Sequence, residues 1–203
     1  MITGPKYKIA RRVGAPIFEK TQSQKFVLRN ERKAKAGTLS SRPKSEYGQQ
    51  LNEKQKARFS YGLTEKQFSN YVKNAILKKS QNVAQSIYEK LESRVDNVVY
   101  RLGLSKTRRA GRQMVSHGHI LINGTRTTIP SEQVKIGDGI SVREGSKNRK
   151  LFTENLEERA STPAWLSFDR KNNTAKILAV PQLSSTNDTM FDLNAVVEFY
   201  SRS

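Results

Sequence analysis

Apolar positions recur at helical spacing through the middle of the chain and switch to strict alternation after Gly118. Phe68, Tyr71, Val72, Ala75 and Ile76 follow the i, i+3, i+4, i+7, i+8 pattern of an amphipathic helix. Thr64-Glu65-Lys66-Gln67 in front of them reads as a capping box, hydroxyl and amide answering free backbone N–H groups. An earlier helix is expected near 45–60. Its stripe is Tyr47, Leu51, Gln55 and Phe59, and Gly62 ends it. Lys78 to Asn82 interrupt the pattern. One longer helix then carries Ala84, Ile87, Leu91, Val95, Val98 and Leu102 on one face, stopped by Gly103. Ser105 offers an N-cap for a further helix through about Ser116.

Beyond that point Ile120 and Ile122 alternate, and Asn123-Gly124 is a strong signal for a tight hairpin returning through Thr125–Ile129. Val134 starts another extended piece, and Ile140 and Val142 alternate after the turn at Gly137-Asp138-Gly139. Residues 148–160 read as a helix. Trp165–Asp169 and Ala175–Val180 read as strands flanking Asn172-Asn173, and Asn194–Tyr200 as a last short helix capped by Asn194. Residues 1–44 show no sustained period. Gly4-Pro5, Gly14, Pro16, Gly37 and Arg42-Pro43 punctuate them, so an extended basic arm with short helical turns, ordered by a partner, is expected. The sum is an α+β chain: a basic arm (1–44), a helical domain (45–92, with 145–203 returning to it), and an inserted module of two helices on a small antiparallel sheet (93–144).

Charge changes this picture from architecture to chemistry. The 203 residues carry 37 Lys and Arg against 18 Asp and Glu, a formal net charge of +19. The excess is segregated: +11 in residues 1–60, +7 in 61–113 and +1 in 114–203. A surface this basic repels itself until a polyanion neutralises it, and solubility alone would not require the segregation. Cysteine is absent, which excludes disulfides, thiolate metal sites and cysteine nucleophiles. No run approaches 18 apolar residues, so no membrane partner is expected. The first residues are basic and acid-poor, which leaves an organellar transit peptide open.

Within the module, Arg94, Asn97 and Arg101 lie at spacings of three and four, off the apolar stripe. The next helix carries Lys106, Arg108, Arg109, Arg112 and Gln113. Cations in its first turn oppose the helix dipole, at roughly 0.3–1 kcal/mol each, and a bound phosphate reverses that sign. Arg-rich helix faces suit RNA, whose narrow major groove admits no helix but whose backbone crowds at junctions. His117 and His119 stand two apart, with neither cysteine nor a sequence-adjacent carboxylate to complete a metal site. They are assigned to the RNA surface and no metal is expected. No nucleophile–base pair, Walker loop or carboxylate dyad appears.

The run Leu91-Glu92-Ser93-Arg94-Val95-Asp96-Asn97-Val98-Val99-Tyr100-Arg101-Leu102-Gly103, continued by Arg112 to Ile120, Asn123-Gly124, Ile129-Pro130-Ser131 and Gly137-Asp138, resembles the RNA-binding domain of bacterial-type small ribosomal subunit protein four. Gly4-Pro5, Ala10-Arg11-Arg12, Ser45-Glu46-Tyr47-Gly48, Glu65-Lys66-Gln67-Phe68 and Glu198-Phe199-Tyr200 extend the resemblance along the whole chain. It implies a non-catalytic protein that binds small-subunit (16S) rRNA early, at a multi-helix junction. It further implies nucleation of the subunit body, a position near the channel through which mRNA enters, neighbours in small-subunit proteins three and five, and support of decoding accuracy. The implied setting is the cytoplasmic small subunit, with an organellar ribosome as the alternative. The RNA residues are Arg94, Asn97, Arg101, Lys106, Arg108, Arg109, Arg112, Gln113, His117 and His119, with a second basic surface of Arg11, Arg12, Lys44, Lys54, Lys56, Arg58 and Lys66.

Some members of the family hold zinc through cysteines in the arm. Tyr7 and Ala10 stand where the first two would fall, so no zinc or other cofactor is expected. The family's Pro-Gly-x-His-Gly loop is replaced by the shorter Gly37–Pro43, Glu132 replaces an aromatic, and Gly111 stands where alanine is usual, at an expected cost of up to about 1 kcal/mol of helix stability. An RNA chaperone, or an RNA-modifying enzyme that borrows the same module, is the alternative. The enzyme needs an added catalytic domain, and the stretch after residue 144 shows no motif for one.

Overall fold

The structure, a computed structural model, describes residues 4–35, 45–78, 81–147, 162–170, 172–183 and 189–202. Its contacts divide the chain into two compact units, 1–87 with 183–203, and 88–182. The helix expected over 148–160 lies outside the described residues, as does Lys44.

The first unit is helical. Helices α1 (Lys6–Val13), α2 (Gln24–Lys35), α3 (Glu46–Ser60) and α4 (Glu65–Leu77) are joined by the C-terminal helix α8 (Leu193–Ser201). Residues 4–35 are packed rather than extended. Ala10, Val13, Ile17, Phe18 and Phe26 form a small core that Phe59 of α3 completes. Gly14, at φ 71°, ends α1 by turning the chain into the left-handed region, and Asn52 Nδ2 donates to Val13 O at 2.9 Å to fix it on α3. Thr21 takes the Phe18 N–H on its hydroxyl and returns a bond to Phe18 O. A few aromatics and local turns therefore replace the periodic stripe that sequence reading looks for.

Helix α3 is rotated from the expected stripe. Gln50, Lys54 and Ala57 are buried, while Tyr47 is 60% exposed with its ring beside Phe199 at 5.4 Å. The helix packs against α8 and, on another side, against α1, so polar residues lie inside a wide contact. The expected cap at Thr64 is present, and Ser45 adds one for α3. Ser45 Oγ accepts from Gly48 N and Thr64 Oγ1 from Gln67 N, whereas Asp192, not Asn194, caps α8.

The second unit begins in α5 (Val83–Glu92) and continues through α6 (Val95–Arg101), α7 (Arg108–Ser116) and five strands: β1 (Ile120–Ile122), β2 (Thr125–Thr127), β3 (Gly139–Val142), β4 (Leu166–Asp169) and β5 (Thr174–Ile177). The sheet is antiparallel in the order β2-β1-β3-β5-β4. Asn123 (φ 49°) and Gly124 (φ 80°) both sit in the left-handed region, as a primed two-residue hairpin requires. Alternation sends Ile120, Ile140, Val142, Ala175, Ile177 and Leu166 inward against Val95, Val98, Val99, Leu102, Met114 and Val115. The segment 166–177 thus completes the module's sheet instead of returning to the helical domain. Ile140↔Ala175 and Leu166↔Ile177 are register partners that local sequence does not reveal.

The single helix expected over 84–102 is broken. Arg94 is extended (ψ 135°) and bridges to Gln133. Val95 N donates to Glu132 O and Asp96 N to Pro130 O, while Ser93 O accepts from Val134 N. Segment 130–134 takes over the backbone groups that would have continued the helix. The apolar stripe runs through the break because both helices face one core. The cap of α7 is Thr107, whose Oγ1 accepts from Ala110 N at 3.0 Å; Ser105 is buried and donates to Thr107 O instead.

Gly111 has a packing role that outweighs its weak helix propensity. A Cβ there would stand 2.7 Å from Asp96 O and 3.0 Å from Ser105 Oγ, so α6 and α7 cross too closely for a methyl group. The Gly111→Ala variant is therefore expected to lose about 1–3 kcal/mol of stability. Chemical denaturation checks this, and a gain in stability would show that propensity dominates.

Candidate nucleic-acid interface

Two carboxylates organise the α6–α7 pair. Glu92, at the end of α5, is 0% exposed, and Asp96, in the first turn of α6, is 2% exposed. Neither can stay charged there without compensation. Arg101 grips Glu92 as a fork, Nε to Oε2 and Nη2 to Oε1, both at 2.7 Å. Asn97 Nδ2 adds a bond to Oε2 at 2.9 Å and another to Glu92 O. Arg108 donates from Nε to Asn97 Oδ1 at 2.7 Å, brings Nη2 to 3.9 Å from Glu92 Oε1, and lies over the Tyr100 ring at 4.5 Å. Asp96 accepts from Arg94 Nε and Nη2 at 3.0 and 2.8 Å and from Arg112 Nε at 2.7 Å.

This sorts the expected RNA residues by role. Arg94 and Asn97 are buried, at 2% and 1% exposure, so they are corrected from surface contacts to internal supports. Their charge and amide face Asp96 and Glu92, because α5 ends before Arg94 and turns both side chains inward. Arg101, Arg108 and Arg112 are half-buried, each held at its root by a carboxylate or by Asn97. Lys106 just before α7, Arg109 and Gln113 on it, and His117 at its C-terminal end are exposed. His119 is buried, with Nδ1 2.9 Å from Ser146 Oγ, and it ties the 3-10 turn Glu144–Ser146 to the sheet rather than facing solvent. Removing one partner of such a buried pair costs about 3–5 kcal/mol in comparable proteins, and the Arg94–Asp96 pair, both members at 2% exposure, falls in that class.

Sequence reasoning missed Glu92, Asp96, Tyr100 and Arg126. The first two repeat at i, i+4, as Arg108 and Arg112 do, and that matched spacing was the available signal. Arg126 crosses from β2 to lie over Gly118, with Nη2 donating to His117 O at 3.3 Å; a Cβ on Gly118 would stand 2.0 Å from its Nε. It adds a cation beside His117 at the end of α7. Farther along, Asn123 and Asp138 lock the hairpin tip. The Lys135 N–H and the Asn123 amide donate to the Asp138 carboxylate and hold its pKa below the ordinary value.

The second basic surface, in the helical unit, is partly internal. Lys54 is buried and binds Glu65 Oε1 at 2.9 Å, so it too is corrected from a surface contact. Lys56 bonds Glu53, and Arg58 bonds Gln55 while approaching Glu65 at 3.4 Å. Arg11 lies over the Phe26 ring, and Arg12 and Lys66 are exposed.

Comparison with known proteins meets this geometry. Residues 1–92 match the ribosomal protein S4/S9 N-terminal domain, and residues 93–140 match the S4 domain. Small ribosomal subunit protein uS4 of Persephonella marina is 42% identical over 202 residues, covering 98% of this chain and 97% of its own. The protein of the same name from Chromobacterium violaceum is 41% identical over 205 residues, with 98% of each chain covered. That of Aquifex aeolicus is 40% identical over 205 residues, covering 98% of this chain and 97% of its own. A cationic helix pair on an antiparallel sheet, matched to the S4 domain, defines the class: a protein built around an S4-type RNA-binding module. Similarity of this level along both chains is decisive for the particular family. The chain belongs to the small ribosomal subunit protein uS4 family.

Glu65 supplies a pH-dependent tie in the helical unit. Burial pushes its carboxyl up. Hydrogen bonds from Lys54 and from Tyr200 Oη, with the charges of Lys54 and Arg58, outweigh burial and leave it below 4.5. The Tyr200 hydroxyl is raised above its ordinary range, by burial first and by donation to Glu65 second. A depressed folded pKa contributes stability above the unfolded value that is lost as pH falls through the folded one. Wild type is therefore expected to lose more stability than Glu65→Gln between about pH 6 and pH 3, in denaturant titrations at each pH. Equal losses would show that Glu65 contributes nothing to the acid limb.

Proposed function

We propose that this chain is a structural, non-catalytic constituent of the small ribosomal subunit that binds its 16S rRNA directly through the α6–α7 face. The observation that carries the proposal is the set of arginines Arg101, Arg108 and Arg112, held in place by buried acceptors on an S4-domain scaffold. Guanidinium groups fixed at their roots can present their remaining edges to phosphate without first being ordered, which lowers the entropic cost of binding. Lys106, Arg109, Gln113 and His117 flank them, with Arg126 beside His117.

The helices do not enter a groove, since the A-form major groove is too deep and narrow to be read by side chains. They lie on the backbone, where several strands converge and phosphates crowd. Affinity then comes from phosphate neutralisation and falls steeply with salt, while specificity comes from the shape of the junction. Arg12, Lys66 and the outward parts of Lys56, Arg58 and Arg11 provide a second contact from the helical unit. Early binding at such a junction brings separate rRNA helices together and nucleates the body of the subunit. In the finished particle the chain lies near the channel through which mRNA enters, beside small-subunit proteins three and five, and supports decoding accuracy there. Its setting is the cytoplasm.

Ultraviolet crosslinking in cells, followed by sequencing of the attached RNA, tests the reading. Reads concentrated on one multi-helix junction of small-subunit rRNA are expected. Reads spread over tRNA, large-subunit rRNA or many transcripts would replace it with a chaperone or RNA-modifying role.

A further inference from the structure

We infer that Glu92, with Asp96, is a positioning residue for RNA: an acidic group inside a cationic surface that raises affinity for a polyanion by fixing the arginines that touch it. The inference rests on the reading of the α6–α7 face given above.

The geometry points away from a simple neutralising role. Glu92 is 0% exposed, yet it receives a two-bond fork from Arg101, whose side chain is 28% exposed, and lies 3.9 Å from Arg108, at 18%. Asp96, at 2%, receives Arg112, at 27%. In each case the carboxylate is inside and the guanidinium spans the boundary. The arginines come from different places, Arg101 from α6 and Arg108 and Arg112 from α7, and the two carboxylates and Asn97 join them. Asn97 relays the arrangement, donating to Glu92 while accepting from Arg108. Tyr100 closes the other side of Arg108 at 4.5 Å. Long side chains that would otherwise sample many rotamers are thereby held in one arrangement. A carboxylate that served folding alone would not need to bind groups that reach the surface.

The test is Glu92→Gln in the full chain, with purified small-subunit rRNA as the probe and binding measured across a salt series. The variant raises the net charge by one above +19, so plain electrostatics predicts tighter binding. Positioning predicts the reverse, a loss of about tenfold with a salt slope shallower by roughly one phosphate. Tighter binding, or a loss with an unchanged slope as partial unfolding would give, overturns the inference. If Glu92→Gln does not fold, the wild-type chain still decides. Nitrogen-15 NMR should show persistent Nε–Hε signals for Arg101, Arg108 and Arg112 in the free protein near neutral pH, and their absence overturns the inference. The exposed pair Lys106→Gln with Arg109→Gln isolates the reading beneath it. An unchanged salt slope in that variant removes the RNA face, and the positioning role with it. A shallower slope there, together with tighter binding by Glu92→Gln, keeps the face and removes only the positioning role.

Discussion

A carboxylate removed from water must find cations, and Glu92 and Asp96 impose that requirement on the whole second unit. Their partners come from the break after α5, from α6 and from α7, so satisfying them fixes how these three pieces meet. Arg94 can reach Asp96 only because the helix stops before it, and the helix stops because segment 130–134 takes its backbone groups. Gly111 permits the close approach of α7 to Asp96 O, which brings Arg108 and Arg112 within reach of Asn97 and Asp96. The sheet then supplies a flat apolar floor, Ile120, Ile140 and Val142 chief among it, on which the helix pair rests.

The same constraint bears on how a strongly basic chain packs its cations together. Its arginines in this region are not an undivided field of like charge. Buried carboxylates lie beneath several of them, which lowers the self-repulsion of this face. The helical unit repeats the device on a smaller scale, with Glu65 between Lys54, Arg58 and Tyr200 joining α3, α4 and α8. Acidic residues are few in the first 113 positions, and several of them are placed where a cation needs a root.

What was legible in the sequence follows from the range of the forces involved. The hairpin at Asn123-Gly124 and the cap at Thr64 depend on a few adjacent residues and are legible directly, whereas Ser105 and Asn194 yield their cap positions to Thr107 and Asp192. The family resemblance identifies an S4-type module because its motifs are dense between Leu91 and Ile120, but it leaves out β4 and β5, which lie beyond them. The break at Arg94 was hidden because the apolar stripe continues across it, and its cause lies nearly forty residues away. Strands β4 and β5 are legible as strands, but their place in the sheet depends on long-range register. Residues 1–44 read as an arm because Phe18 and Phe26 pack without a period. Arg94, Asn97, Lys54 and His119 read as surface in the sequence because only their buried partners, distant or hidden in the fold, turn them inward.

The central claim is that the arginines keep their buried carboxylates while engaging rRNA. An electron cryomicroscopy structure of the small subunit containing this chain tests it most directly. The account predicts Arg101 still forked on Glu92 and Arg112 still on Asp96, with their outer edges and that of Arg108 at hydrogen-bond distance from rRNA phosphates. Guanidinium groups that leave Glu92 and Asp96 to reach the RNA, or rRNA seated on another face of the second unit, would contradict it.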